Sequence, residues 1–427
     1  MMLQARKAVI FLLMLALPLA LFGAVVAQDD DMMMEPPPGF ESWDEVLEAA
    51  DGATVNWYMW GGSDAINEFV DTTYGIPLME EYNITLNRVP LADTVDAVNQ
   101  VLSEAEAGIE GDDGSIDLIW INGENFSTLR QADLLFGPWS ESIPNSALVD
   151  WENPALNLDF GLPVDGYESP WSGAQFHFIY DSARMDAEDL PRSYAELTEW
   201  IEANPGRFTY IAPGPGAFQG TRFVKQALFE VSGGQEQWVG EFNEDLYNEH
   251  APALWEMLNS WEANLWRGGE TYPTNVNELH ELFANGEIDF TLTQSVAGAG
   301  PAIAEGLIPP TSRAFAFDAN MIGDFNYVAM PFNAPNKAAA MVLANLILRP
   351  DRQAEQVVPE NGFGLNFAID VNRVEDEADI AALEEGANSL GEAAADPAEL
   401  AASLVSDIAA EYQALVEADW EANVLLD

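Results

Sequence analysis

The sequence predicts a doubly wound α/β architecture, and three observations carry that prediction. Between Thr54 and Leu134, strand-like and helix-like stretches alternate, which is the unit of a parallel sheet covered by helices. The third strand stretch, residues 116–121 (IDLIWI), is almost wholly apolar, as a central strand buried on both faces must be. Behind an N-terminal leader, about 400 residues remain, enough for two domains with cores of their own.

The elements follow in order. Residues 28–41 hold an acidic run, methionines and Pro36-Pro37-Pro38, the composition of a linker. Ser42, with Glu45 three positions on, opens a short helix that Gly52 ends. Residues 54–60 (TVNWYMW) have strand composition, and Gly61-Gly62-Ser63-Asp64 turns the chain into a helix expected to break near Gly75 and Pro77. Residues 84–90 (ITLNRVP) form a second strand. Residues 93–107 are helical, with Val95, Val98, Leu102 and Ala105 on one face. The helix after the third strand spans 123–134.

Downstream, residues 168–173 read as a loop, residues 175–180 (QFHFIY) as a strand and residues 194–203 as a helix. Residues 207–211, 288–293, 314–317 and 325–330 read as further strands, and Thr221 as the cap of a helix running through Glu230. Asp396, Pro397 and Glu399 start one long final helix with Leu400, Leu404, Ile408, Tyr412 and Leu415 as its buried stripe.

Charge narrows the function classes. Seventy-two Asp and Glu face 15 Lys and Arg, for a formal net charge of −57. Such a field repels a phosphate backbone, so nucleic acid is not a partner. The acidic surface suits a salty medium in which carboxylate repulsion is screened; it also gathers cations. At the N-terminus, Arg6 and Lys7 precede an uncharged stretch to Ala27, and acids follow at Asp29. This is the pattern of a signal peptide, with cleavage expected after Ala27. An uncleaved anchor is the alternative, since about 20 apolar residues can span a bilayer. The absence of cysteine removes disulfides, thiolate metal sites, Cys nucleophiles and the lipoprotein anchor together.

No catalytic signature stands out. His177, His250 and His280 share no metal spacing, and no GxSxG, SxxK or Walker pattern occurs. The sequence thus predicts no metal, no cofactor and no catalytic residue. Ligands of doubly wound sheets bind beyond the carboxyl ends of the strands. Here those ends are Trp60-Gly61-Gly62-Ser63-Asp64 and Asn122-Gly123-Glu124-Asn125. Trp60 and Trp171 sit beside glycines, whereas Trp57 and Trp120 lie within strands and read as core. Aromatic faces with Asp64 and Glu124 nearby would suit a cation, at roughly 0.5 to 2 kcal/mol per desolvated ring. Residues 214–221 (GPGAFQGT) form a glycine-containing loop leading into a helix. Its free N–H groups could hold an oxygen-bearing ligand or simply cap the helix.

Residues 55–64 (VNWYMWGGSD), 84–97 (ITLNRVPLADTVDA) and 114–129 (GSIDLIWINGENFSTL) resemble the extracellular solute-binding proteins of bacterial ABC importers, YnjB-type subgroup. Residues 168–175 (ESPWSGAQ), 203–210 (ANPGRFTY), 218–223 (FQGTRF) and 321–323 (MIG) extend the likeness, which runs from about residue 42 to about residue 360. The resemblance implies a type II periplasmic-binding fold, in which two doubly wound lobes joined by crossover strands close around one solute. Lobe one would be residues 42–174 with about 326–360, lobe two 181–313, and the crossovers 175–180 and 314–330; residues 361–427 stay unassigned. Lobe one would supply Trp60 to Asp64, Asn122, Glu124, Asn125, Trp171 and Gln175. Lobe two would supply Phe218, Thr221 and Gln294, with Asn320 at the second crossover.

The implied partners are a small solute and a membrane permease with its cytoplasmic ATPase, served by a periplasmic monomer. Subgroup relatives bind thiamine, polyamines or ferric ion, and no tyrosine pair stands at the loops an iron site would use. A thiamine-like or other organic amine therefore fits best. A secreted carboxylate-dependent hydrolase and a passive surface protein remain the alternatives.

Overall fold

Six strands of one sheet and three of another organise the chain. The computed structural model describes residues 35–121, 123–214, 217–359 and 366–425. The leader (residues 1–27), the start of the linker, Asn122, and Pro215 and Gly216 lie outside the described residues. Pro36–Asp427 forms one unit.

The strands are β1 (Thr54–Trp60), β2 (Thr85–Leu91), β3 (Leu118–Ile121), β4 (Leu158–Asp159), β5 (Leu162–Pro163), β6 (Glu168–Gln175), β7 (His177–Asp181), β8 (Phe290–Thr293), β9 (Ser312–Phe315), β10 (Met321–Ala329) and β11 (Leu404–Val405). The larger sheet runs β11-β10-β3-β1-β2, with β6 also paired to β10. β1 is parallel to both β2 and β3, because each connection between them is a helical crossover. β10 enters antiparallel to β3. The second sheet is β8-β7-β9, all antiparallel, with β4 and β5 a small separate hairpin.

Each sheet carries its own core. Val55, Trp57 and Met59 alternate inward from β1 and pack with Ile119 and Ile121 of β3, Tyr74 and Trp171. Trp57 and Trp171 meet edge to face with centroids 5.2 Å apart. The second core gathers Phe176, Phe178, Tyr194, Phe223, Trp261 and Phe315 around β7. Two continuous segments pass from one core to the other. The first runs through Trp171 in β6 to Phe176 and Phe178. The second runs through Met321 and Ile322 in β10 to Phe325 and Tyr327. They cross side by side: Gly323 lies opposite Gln175 in the ladder, and Phe176 N–H donates to Ile322 O at 2.8 Å. A Cβ on Gly323 would stand 2.4 Å from Leu404 Cδ1 and 2.9 Å from Ala174 O, so only glycine permits this approach.

The structure corrects several expectations. Residues 168–173 are strand, because they complete the β10 ladder. Residues 207–211 are in no ladder; Arg207 O and Phe208 O instead accept from Asp289 N and Trp266 N. The helix after Ser63 does not break at Gly75 but passes through a π-helical segment, Val70–Gly75. The final helix is two, Pro397–Ser403 and Ala410–Trp420. Between them Leu404 and Val405 pair with Met321 and Ile322, and Asp407 turns inward to Lys225 Nζ at 2.5 Å. Pairing a buried lysine outweighs continuing the helix. Thr221 does not cap; it lies one turn inside the helix Phe218–Ser232.

The scarce positive charge is spent internally. Among the described residues every Lys and Arg except Arg267 lies within ion-pair reach of a carboxylate, and Arg267 lies over the Trp266 ring instead.

Trp171 is fully buried, with Trp57, Tyr74 and Trp120 around it. Trp171→Ala is expected to cost about 3–5 kcal/mol, read as a lowered urea midpoint; a loss below about 1 kcal/mol would remove its role as keystone of the first core.

Candidate functional site

The strand ends of the first core and the helix Phe218–Ser232 of the second face a common cavity of about 520 Å³. Trp60 ends β1, and Asp93 and Thr94 follow β2. Trp120 lies in β3, Asn125 opens the helix Glu124–Gln131, and Ala174, Asp324 and Asn326 come from the two crossing strands. Phe218, Gln219 and Gln294 line it from the other side. An adjoining cavity of about 420 Å³ shares Trp60, Trp120, Gln219 and Gln294 and reaches Thr293, Ser295, His280 and Glu305.

The aromatic wall is fixed from behind. Trp60 and Trp120 stand edge to face at 6.5 Å, and Trp120 packs on buried Trp171 at 4.9 Å. Trp120 Nε1 donates to Asn326 Oδ1 at 3.0 Å, and Asn326 Nδ2 donates to Ser172 Oγ at 2.9 Å. Trp120 therefore cannot turn without breaking a half-buried chain of hydrogen bonds. Gly62 lies beneath the Trp60 ring, where a Cβ would be 2.3 Å from Cζ2.

Below the cavity floor is a buried charge cluster. Arg222 has no exposed surface; its Nη1 donates to Gln294 Oε1 and its Nη2 to Asp324 Oδ2. Arg222 Nε lies 3.5 Å from Asp407 Oδ2, and its guanidinium carbon is 4.1 Å from the Phe218 ring centroid. Lys225, equally buried, pairs with Asp407 and faces the Phe160 ring at 5.0 Å. Phe160 stacks on Phe218 at 5.8 Å. Burial lowers the Lys225 ammonium against the pull of Asp407, and burial raises the Asp324 carboxyl despite Arg222.

Two further acids have no cationic partner among the described residues. Asp159 accepts Gly123 N–H at 2.7 Å through one oxygen only. Neither Glu168 oxygen is hydrogen-bonded among the described residues. Desolvation raises both carboxyls well above the carboxylate range; the Asp324 charge adds to it at Asp159, against the Gly123 hydrogen bond, and the Asp159 charge adds to it at Glu168.

Of the residues the sequence singled out, Trp60, Asn125, Phe218 and Gln294 line one cavity. Gln175 lies just behind it, its amide donating to Leu400 O at 2.8 Å, while its neighbour Ala174 lines the wall. Thr221 Oγ1 donates to Glu417 Oε1 at 2.9 Å and is buried, and Trp171 supports Trp120 from the core. Gly61 packs on Pro90, Ser63 caps the helix Asp64–Phe69, and Asp64 and Glu124 are exposed. Asn320, with φ 62°, sits in the turn before β10, 3.5 Å from Glu230 Oε2; it does not line either cavity. Sequence reading missed Asp93, Asp324 and Asn326, took in Gln219 only as part of the loop 214–221, and placed Trp120 in the core. Asp324 and Asn326 had a signal: they are polar positions in an otherwise apolar strand, MIGDFNYVA.

Residues 74–364 match the family of bacterial extracellular solute-binding proteins. The chain belongs to that family. Protein YnjB of Escherichia coli K12 is 38% identical over 318 residues, spanning 74% of this chain and 80% of that protein. Among solved structures, the spermidine/putrescine ABC transporter substrate-binding protein PotD of Streptococcus pneumoniae superposes with TM-score 0.58 at 12% identity, covering 87% of this chain and 99% of that one. Fructose-6-phosphate-bound AfuA of Actinobacillus pleuropneumoniae gives 0.55 at 12%, covering 88% and 99%. Iron-bound HitA of Pseudomonas aeruginosa gives 0.52 at 16%, covering 86% and 99%. At such identities these likenesses establish the periplasmic-binding-protein fold alone. As a family member, the protein is an extracellular solute-binding protein and not an enzyme.

Glu168 yields a pH test. Its folded form favours the proton, so it lowers stability as pH rises above the ordinary carboxylate value, near 4.3. Glu168→Gln should therefore melt at the same temperature as wild type near pH 4 and at a higher one at pH 7.5. A difference that does not grow with pH counts against this assignment.

Proposed function

We propose that the solute is an organic cation of the thiamine or amine class, held between the two cores. One observation carries the reading. Asp93, Asp324 and Glu305 are among the residues lining the joined cavities, and no lysine or arginine is, among the described residues. The nearest buried cations, Arg222 and Lys225, are already engaged by Asp324 and Asp407. An anionic solute would meet no free positive charge there, whereas a cation meets aromatic faces and carboxylates. No tyrosine lines the cavities among the described residues, which argues against phenolate-bound iron.

In this reading Trp60, Trp120 and Phe218 stack on the solute, and Asp324, Asp93 and Asn125 meet its polar edge. Exposed Asp64 and Glu124 add negative potential at the rim. Residues 42–174 with about 326–360 move as one lobe and 181–313 as the other, about the strands at Gln175 and Gly323. Solute that touches both favours the closed arrangement, which the permease reads. The chain is exported by its leader, cut after Ala27, and acts as a monomer.

Titration calorimetry with thiamine, putrescine and fructose 6-phosphate tests the class. A cation should bind and the sugar phosphate should not. Trp60→Leu, at an exposed ring, should weaken the cation about fivefold. Preferential binding of the phosphate ester would overturn the proposal. Small-angle scattering at saturating solute should show a smaller radius of gyration; unchanged dimensions would refute closure.

A further inference from the structure

Arg222 determines what Gln294 can offer a solute. A guanidinium has donors and no acceptor, so the group Gln294 turns toward Arg222 Nη1 must be its carbonyl oxygen. That leaves the amide N–H₂ as the polar end of Gln294. No other hydrogen bond of this side chain occurs among the described residues. Gln294 is only half-buried and lines both cavities.

The other arm of the same guanidinium takes Oδ2 of Asp324. Asp324 Oδ1 has no hydrogen bond among the described residues, and Asp324 also lines the cavity. One planar fork therefore sets a donor and an acceptor side by side on the cleft floor, with the Phe218 ring against the guanidinium and Trp120 lining the same cavity.

The other polar side chains of the lining are either committed or not held in one orientation: among the described residues Asn125 and Gln219 have no side-chain hydrogen bond to fix them. Both polar ends of Asn326 are used, by Trp120 and Ser172. Thr94 Oγ1 donates to Trp120 O at 3.3 Å, and one oxygen of Asp93 caps Val95 N–H. Gln294 is thus the floor's fixed donor, and an uncapped donor buried by a bound solute costs about as much as a lost hydrogen bond.

We propose that Gln294, oriented by the positioning residue Arg222, makes this a site for a cation that also carries a hydrogen-bond acceptor, rather than for a bare amine or alkylammonium. This rests on the cationic reading above and narrows it. The acceptor sits next to the positive centre, because Gln294 and Asp324 share one guanidinium.

Two probes of equal chain length separate the ideas: acetylcholine, whose ester oxygens only accept, and n-pentyltrimethylammonium, which has none. By calorimetry the wild type should bind acetylcholine about tenfold more tightly. Gln294→Leu should abolish that preference by weakening acetylcholine alone. Gln294→Glu keeps an oxygen on Arg222 and so preserves the fold, but replaces the donor with an acceptor; it should reverse the preference. Equal wild-type affinity for the two probes, or a preference that survives both substitutions, would overturn the role of Gln294 and leave the cationic reading standing. Failure of both probes, with thiamine and putrescine also silent and a neutral or anionic solute bound, would overturn the cationic reading itself.

Discussion

The junction of the two cores depends on a small, almost wholly buried ion cluster that reaches the cleft only through Asp324. Arg222 and Lys225 come from one helix, Asp324 from a crossing strand and Asp407 from the break between the last two helices. Such a cluster adds little net stability relative to an apolar replacement, yet removing one member strands a buried charge at about 3–5 kcal/mol. Its value here is positional. It ties the helix Phe218–Ser232, the strand β10 and the C-terminal segment to one point, and that point is the floor of the cleft.

The remaining features of the site follow from that anchor. Phe218 lies over the guanidinium and against Phe160, so the second core's aromatic contribution is fixed by the same residue that holds Gln294. On the first core's side the fixing is apolar: Trp120 leans on Trp171, which leans on Trp57 and Tyr74. A polar clamp on one wall and an edge-to-face aromatic wall opposite fix the side chains of each wall before any solute arrives, which lowers the ordering cost of binding.

The first half of the fold was legible because its signals are local. The alternation of strand and helix, the apolar run LIWI, and the caps Ser42 and Ser63 each act within a few residues of themselves. What stayed hidden was set by partners distant in sequence. Residues 168–173 look like a loop, with Pro170 and Gly173, until β10 arrives from about 150 residues away to pair with them. The helical period through Leu404 and Ile408 is genuine, but Lys225 needs Asp407 and β10 takes Leu404 and Val405. In the site, Trp60 and Phe218 could be read from their places beside turns. Trp120 could not, since only the cavity distinguishes a strand tryptophan that faces solute from one that faces core. Asp324 was one polar letter in an apolar strand, and its meaning came from Arg222.

The internal use of nearly all positive charge has one more consequence. With all but one of the described arginines and lysines engaged by carboxylates, the molecule presents the medium with a strongly anionic exterior. Small inorganic cations must crowd that exterior, the mouth of the cleft included. A positively charged guest then has to displace part of this ionic atmosphere as it enters. Under the proposed cationic reading, capture becomes an exchange of one cation for others, weakened as brine concentrates and strengthened as it dilutes.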